Sequence, residues 1–160
     1  MEFVRIRPTH SGAADRWADL PGAPGAYVLV VQLDAPLALK IASLAPAVLA
    51  PGRYAYCGNA HGRGGIRARL ARHLRPGKPA RWHVDHLTNA GLVVSVGAEP
   101  GGRECDLFAR VLATAGARVP AIGFGSSDCR RCPAHLASVA SDFDARALAP
   151  VSLSADTGRP

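Results

Sequence analysis

The chain has 160 residues, 48% of them hydrophobic, 19% charged and 6% aromatic, with 17 glycines and 13 prolines. That suits a single domain burying roughly two-thirds of its unfolded surface. It is too apolar for wholesale disorder, and Pro36, Lys40, Pro46 and Pro51 break the apolar runs well short of the roughly 20 residues a membrane span needs. The net charge of +7 is not spread evenly: residues 53–81 carry eight Arg or Lys and no acid, and the rest of the chain nets −1. A uniformly basic surface is thereby excluded, and a polyanion partner is the expectation.

In chain order, residues 1–19 are expected to form an N-terminal extension, with helix around Ala13–Leu20. The opening residues lack a basic-then-apolar leader, so a cytoplasmic location with reduced thiols is expected. The Pro-Gly pairs of residues 20–25 predict a turn, and Tyr27–Leu33 is rich in strand formers. A second strand is expected over Leu37–Ser43 and a third over Arg53–Cys57, the three forming an antiparallel meander because their links are short. Ile66, Leu70 and Leu74 recur every four residues, predicting a helix over Gly64–Leu74 that Pro76 and Gly77 stop. Arg81–Thr88 reads as a short helix, Leu92–Ala98 as a strand, Arg103–Ala115 as a helix and 122–129 as a loop. A final helix is expected from Cys132 to Val139, and a weakly ordered tail over 141–160. The predicted fold class is α+β: a small antiparallel sheet of three to four strands flanked by helices, in one domain over residues 20–140.

Several side chains carry chemical possibilities. Arg69 and His73 stand four apart and project from one side of their helix. The guanidinium fork suits a phosphate, and the imidazole suits proton transfer near neutral pH. Glu104 shares a helix face with Leu107, Phe108 and Val111, where a carboxylate is unfavourable unless paired or bound to a cation. Within the basic segment, Arg53, Arg63, Arg67, Arg72, Arg75, Lys78 and Arg81 are the candidate nucleic-acid contacts. His83 lies beside Trp82, and Cys129-x-x-Cys132-x-x-His135 offers three zinc ligands, with Asp128 or a distant His needed for a fourth. Buried thiols, a redox pair and a zinc site are all compatible with that spacing. Asp128 and His135 are also candidates for the border of a catalytic cleft.

The order of Gly25-Ala26-Tyr27, Tyr56-Cys57-Gly58, Arg69 with His73, and Glu104 resembles the GIY-YIG endonuclease superfamily. Tyr54-x-Tyr-x-Gly58-Asn59-Ala60, Trp82-His83-Val84-Asp85-His86-Leu87 and Gly123–Cys129 are similar to its Uri-type branch of small predicted endonucleases. The resemblance covers residues 20–137. It implies a metal-dependent endonuclease hydrolysing DNA phosphodiesters, and the expected preference is structure- or single-strand-directed rather than strongly sequence-specific. It further implies Tyr27, Tyr56, Arg69, His73 and Glu104 as catalytic residues, with Glu104 the ligand of Mg2+ or Mn2+ and Zn2+ the less expected cofactor. Either Tyr27 or His73 could be the base. Two departures stand out. Ala26 replaces the usual Ile, and 28 residues separate Tyr27 from Tyr56, more than the superfamily commonly uses. Two alternatives are a non-catalytic nucleic-acid-binding module working through residues 53–81, and a zinc-stabilised RNA-binding protein built around Cys129 and Cys132.

Overall fold

The structure is a computed structural model and describes residues 1–5 and 20–148. Among these residues the chain forms β1 (Glu2–Arg5), β2 (Gly25–Leu33), β3 (Leu37–Leu39), β4 (Ala47–Leu49), β5 (Gly52–Ala60), α1 (Gly65–His73), α2 (His83–Ala90), β6 (Leu92–Pro100), α3 (Glu104–Leu112) and β7 (Leu136–Val139). A short 3-10 helix, Ala145–Leu148, follows. The architecture is the expected α+β, with five strands in the main sheet. Their order is β1-β6-β2-β5-β7, and each neighbouring pair is antiparallel.

β2 is buried along nearly its whole length, with only Gln32 part-exposed. Its period-two alternation therefore divides two cores rather than separating core from solvent. Tyr27, Leu29, Val31 and Leu33 face one layer with Ile66, Leu70, Val84 and Leu87 of α1 and α2. Ala26, Val28 and Val30 face the other with Leu107, Phe108 and Val111 of α3. β5 is split in the same way: Tyr54 and Tyr56 belong to the first layer, Ala55 and Cys57 to the second. The register sets Tyr27 opposite Gly58 and Leu29 opposite Tyr56. Tyr27 and Tyr56 are thereby diagonal neighbours on one face, at the end of the sheet where β2 starts and β5 finishes.

Three secondary-structure expectations need correction. The strand expected over Leu37–Ser43 is three residues long and leaves the main sheet, pairing with β4 in a separate ribbon. β2 and β5 pair directly instead, so there is no three-strand meander. Buried Leu39 and Leu49 hold the ribbon over the first core, which is how the long interval between Tyr27 and Tyr56 is accommodated. The helix expected from Cys132 to Val139 is β7, paired through Arg53↔Val139 to Tyr56↔Leu136. Local helix propensity in Ala134–Ala137 is weak beside the unpaired edge of β5, and tertiary pairing prevails. Residues 2–5 of the expected N-terminal extension form the edge strand β1 on β6; its expected helix around Ala13 falls mostly outside the described residues. Within the expected tail, Phe143, Ala145 and Leu148 are buried against the second core. No helix among the described residues is long and apolar enough to cross a membrane.

Candidate active site

The cleft opens at the Tyr27–Gly58 end of the sheet, and elements from both helical layers reach it. Tyr27 and Tyr56 come from the sheet, Arg69 and His73 from α1, and Glu104 from the first turn of α3. Asn59, at the end of β5, donates from Nδ2 to Glu104 Oε1 at 3.2 Å, tying the far layer to the strand that carries Tyr56. All five residues expected to be catalytic line this one cleft of about 650 Å3, together with Gly58, Asn59, Arg81, Trp82, His83 and the 125–135 loop.

Tyr27 and His73 touch. The Tyr27 hydroxyl lies 2.6 Å from His73 Nε2, and both residues are 1% exposed. Burial raises the Tyr27 phenol well above its ordinary range and pushes His73 down to about 3, against the opposing pull of Asp85. Both groups are therefore neutral at pH 7. Asp85 Oδ1 lies 3.9 Å from His73 Nδ1, and that nitrogen has no hydrogen-bond partner among the described residues. The carboxylate favours the tautomer protonated at Nδ1, leaving Nε2 to accept the Tyr27 proton. Burial also raises the Tyr56 phenol, with Cys57 adding to the effect.

Two glycines make room for these tyrosines. A Cβ on Gly58 would overlap the Tyr27 hydroxyl and Cζ. Gly125 has φ +73°, and a Cβ there would lie 2.5 Å from Tyr56 Cε2. Gly58→Ala is expected to displace the Tyr27 ring, break its bond to His73 and cost about 1–3 kcal/mol of stability. The urea-denaturation midpoint measures that loss, and an unchanged midpoint would show that the ring moves aside freely.

Asp85 organises the α1–α2 junction. It is fully buried and takes Arg72 as a two-pronged ion pair, Nη1–Oδ1 2.8 Å and Nη2–Oδ2 3.0 Å. It also accepts from the backbone N–H of Arg81 (2.8 Å) and Trp82 (2.9 Å) at the start of α2. Burial would raise its pKa, but Arg72 and the two amides outweigh that and hold it down to about 2. Arg69 and Arg72 both stack on Trp82, with guanidinium carbons 4.5 and 4.0 Å from the ring centroid. Arg69 makes no hydrogen bond or ion pair among the described residues, so its fork is free to take an anion in the cleft.

The basic segment divides into distinct groups. Lys78 is buried, and its ammonium donates to the carbonyls of His73 and Arg75, to Thr88 Oγ1 and to Asn89 Oδ1. Arg72 is committed to Asp85. Arg53 sits at the opposite end of β5, bonded to Gln32 and to the Phe143 carbonyl. The charged ends of these three are engaged by partners within the fold. Arg67 donates Nε to the Leu20 carbonyl from an exposed position, and Arg63 and Arg75 are exposed. Within the cleft the cations are Arg69, Arg81, Arg130 and Arg131, against Glu104 and Asp128. Arg130 and Arg131 lie outside the 53–81 run and stand out in sequence only as the pair inside Cys-Arg-Arg-Cys.

Both ring nitrogens of His83 have hydrogen-bond partners. Its Nδ1 accepts from the Gly125 amide at 2.9 Å and its Nε2 reaches Ser43 Oγ at 3.1 Å, which pins the 123–126 loop. Burial lowers its pKa, with His86 acting in the same direction. Cys105, Cys129 and His135 line the same cleft, and with Cys132 they bring four ligand atoms within 4.8 Å of one another. This cluster could bind a metal. Its fourth member is Cys105, 24 residues before Cys129, where the sequence had offered Asp128 or a distant His.

A family model described as "Domain of unknown function DUF123" matches residues 26–154. The chain belongs to that family. No curated protein and no solved structure matches it.

Proposed function

We propose that this protein is a GIY-YIG-type, metal-dependent endonuclease that hydrolyses phosphodiester bonds in DNA. The observation that carries the reading is the convergence on one cationic cleft of Tyr27, Tyr56, Arg69, His73 and Glu104, contributed by the sheet and by both helical layers.

The chemistry follows from the contacts. Arg69, stacked on Trp82 and without an ion-pair partner among the described residues, takes the non-bridging oxygens of the scissile phosphate, where charge grows in the transition state. A water set against the Tyr27 hydroxyl attacks phosphorus in line with the leaving oxygen. Its proton passes to the Tyr27 oxygen as the phenol proton passes to His73 Nε2, 2.6 Å away. Asp85, 3.9 Å from Nδ1, and the incoming phosphate anion both favour the imidazolium that forms. Tyr27 and His73 thus act as one relay rather than as rival bases. The Tyr56 ring, with its centroid 6.4 Å from that of Tyr27, walls the cleft and holds the phenol in place.

Glu104 fits a hard divalent cation. It is part-exposed at the cleft, its other layer contact is the neutral amide of Asn59, and Asp128 lies on the same wall. Mg2+ is commonly held by one or two carboxylates plus substrate phosphate. When bound there, Mg2+ or Mn2+ supplies positive charge to the leaving oxygen.

Labelled single-stranded, duplex and branched DNA, and RNA, incubated with the protein in Mg2+, Mn2+ or EDTA, test the reading. Cutting that needs the added metal is the expected result and ranks the substrates. Salt-sensitive binding with no cutting under any condition would replace it with the non-catalytic binding module, which the same cations would serve.

A further inference from the structure

We propose that Cys105, Cys129, Cys132 and His135 hold one tetrahedral zinc ion that staples the start of α3 to the 123–135 loop. The site does not depend on the nuclease reading.

Distances favour a single ion over four independent side chains. With Zn–S of about 2.3 Å and Zn–N of about 2.0–2.1 Å, a tetrahedron has S···S edges of about 3.8 Å and S···N edges of about 3.6 Å. Cys105 Sγ lies 3.6 Å from Cys129 Sγ and 3.7 Å from His135 Nε2. Disulfide sulfurs would be about 2.05 Å apart, much closer than these.

The surroundings suit ligation. His135 Nδ1 lies 3.0 Å from the Gly125 carbonyl. A proton held there leaves Nε2, the atom facing the sulfurs, as a lone-pair donor. Cys129 Sγ accepts from the backbone N–H groups of Arg131 (3.4 Å) and Cys132 (3.3 Å), a turn that stabilises a thiolate. Zinc with three thiolates carries a net charge of −1, and Arg130 and Arg131 lie in that same turn to offset it. His135 is 3% exposed, and the three cysteines are part-buried. No position is left for water in a four-ligand shell, so the ion is structural rather than catalytic.

The consequence for the cleft comes from adjacency. Cys105 follows Glu104 directly, and His135 precedes β7, so the ion joins the first turn of α3 to the loop that walls Tyr56. Among the described residues, Asn59 donates to Glu104, and the loop is tied to its surroundings by the Gly125 amide to His83, the Cys57 amide to the His135 carbonyl and the Phe124 amide to the Ala121 carbonyl.

Elemental analysis of protein purified without added metal should find one zinc per chain. Cobalt exchanged into wild-type protein should give the intense visible bands of a tetrahedral site and near-ultraviolet thiolate charge transfer, a readout that needs no variant to fold. Cys105→Ser and His135→Ala should each lower zinc occupancy to below about a tenth, while Cys57→Ala, buried in the second core, should retain it. Absence of zinc with four titratable thiols and no cobalt spectrum would overturn the proposal. So would a Cys105–Cys129 disulfide in protein prepared under reducing conditions. Since neither readout uses cleavage, an inactive protein that holds zinc would leave this site standing and defeat only the nuclease reading.

Discussion

Tyr27→Phe is expected to lower kcat/KM for phosphodiester cleavage by about 10³, within the range of a positioned proton-transfer group. The change removes one oxygen from a ring that is already buried, so the fold should tolerate it. It leaves His73 Nε2 without its 2.6 Å partner and the attacking water without an acceptor. Glu104→Gln should cause a loss of similar size by another route, because the side chain keeps its shape and an oxygen for Asn59 but loses the charge that attracts a cation. Comparing the two separates the relay from the metal: added Mn2+ should partly restore Glu104→Gln and do nothing for Tyr27→Phe. A loss of less than about tenfold in Tyr27→Phe would remove that residue from the reaction. The wild-type rate carries a further signature. With burial holding His73 down to about 3 and Tyr27 well above its ordinary range, no step in rate is expected near pH 6.5, where an exposed histidine would titrate.

Asp85→Ala is expected to destabilise the protein by about 3–5 kcal/mol, the cost of leaving a buried ion pair with one partner. Arg72 would lose both prongs, and two backbone N–H groups at the start of α2 would lose their acceptor. Chemical denaturation measures the difference. Asp85→Asn, which retains an acceptor for the amides, should lose less. Asp85 and its neighbour His73 together make the fold acid-sensitive. Both folded-state pKa values lie below their unfolded ones, so the unfolded chain binds more protons and stability falls as pH drops. For His73 the loss runs from about pH 6.5 down to about 3, and reaches about 3 kcal/mol by pH 4.5. For Asp85 it begins near the ordinary carboxylate value and continues to about 2. His73→Phe should flatten the upper part of the profile, between pH 7 and 4.5, and leave the lower part in place.

Much of the site could be read from the chain because local spacing carries it. Arg69 and His73 share a side of α1 because they are four residues apart. Tyr27 and Tyr56 each stand beside a glycine near a strand end, although it is the β2–β5 register that turns them to one face. What local spacing cannot carry is contact across layers. The Tyr27–His73 bond joins residues 46 apart, and the Asn59–Glu104 bond joins residues 45 apart. The fate of Lys78 is of the same kind: a lysine in a basic run reads as surface until four acceptors from the α1–α2 region are found around its ammonium.

The sequence by itself determined the α+β class, the three helices and the long strands β2, β5 and β6, because hydrophobic periodicity and proline or glycine breaks act over a few residues. It also set two tyrosines, an arginine, a histidine and a glutamate in one order along the chain. Tertiary structure alone decided that residues 37–49 leave the sheet and that 136–139 join it, since both outcomes depend on which strand edge is free. It alone brought Cys105 to Cys129, Cys132 and His135, because closeness of side chains so far apart in the chain is a relation between points in space. And it alone divided the basic run into cations held internally and cations facing the cleft, a division set by burial and by the acceptors each one meets.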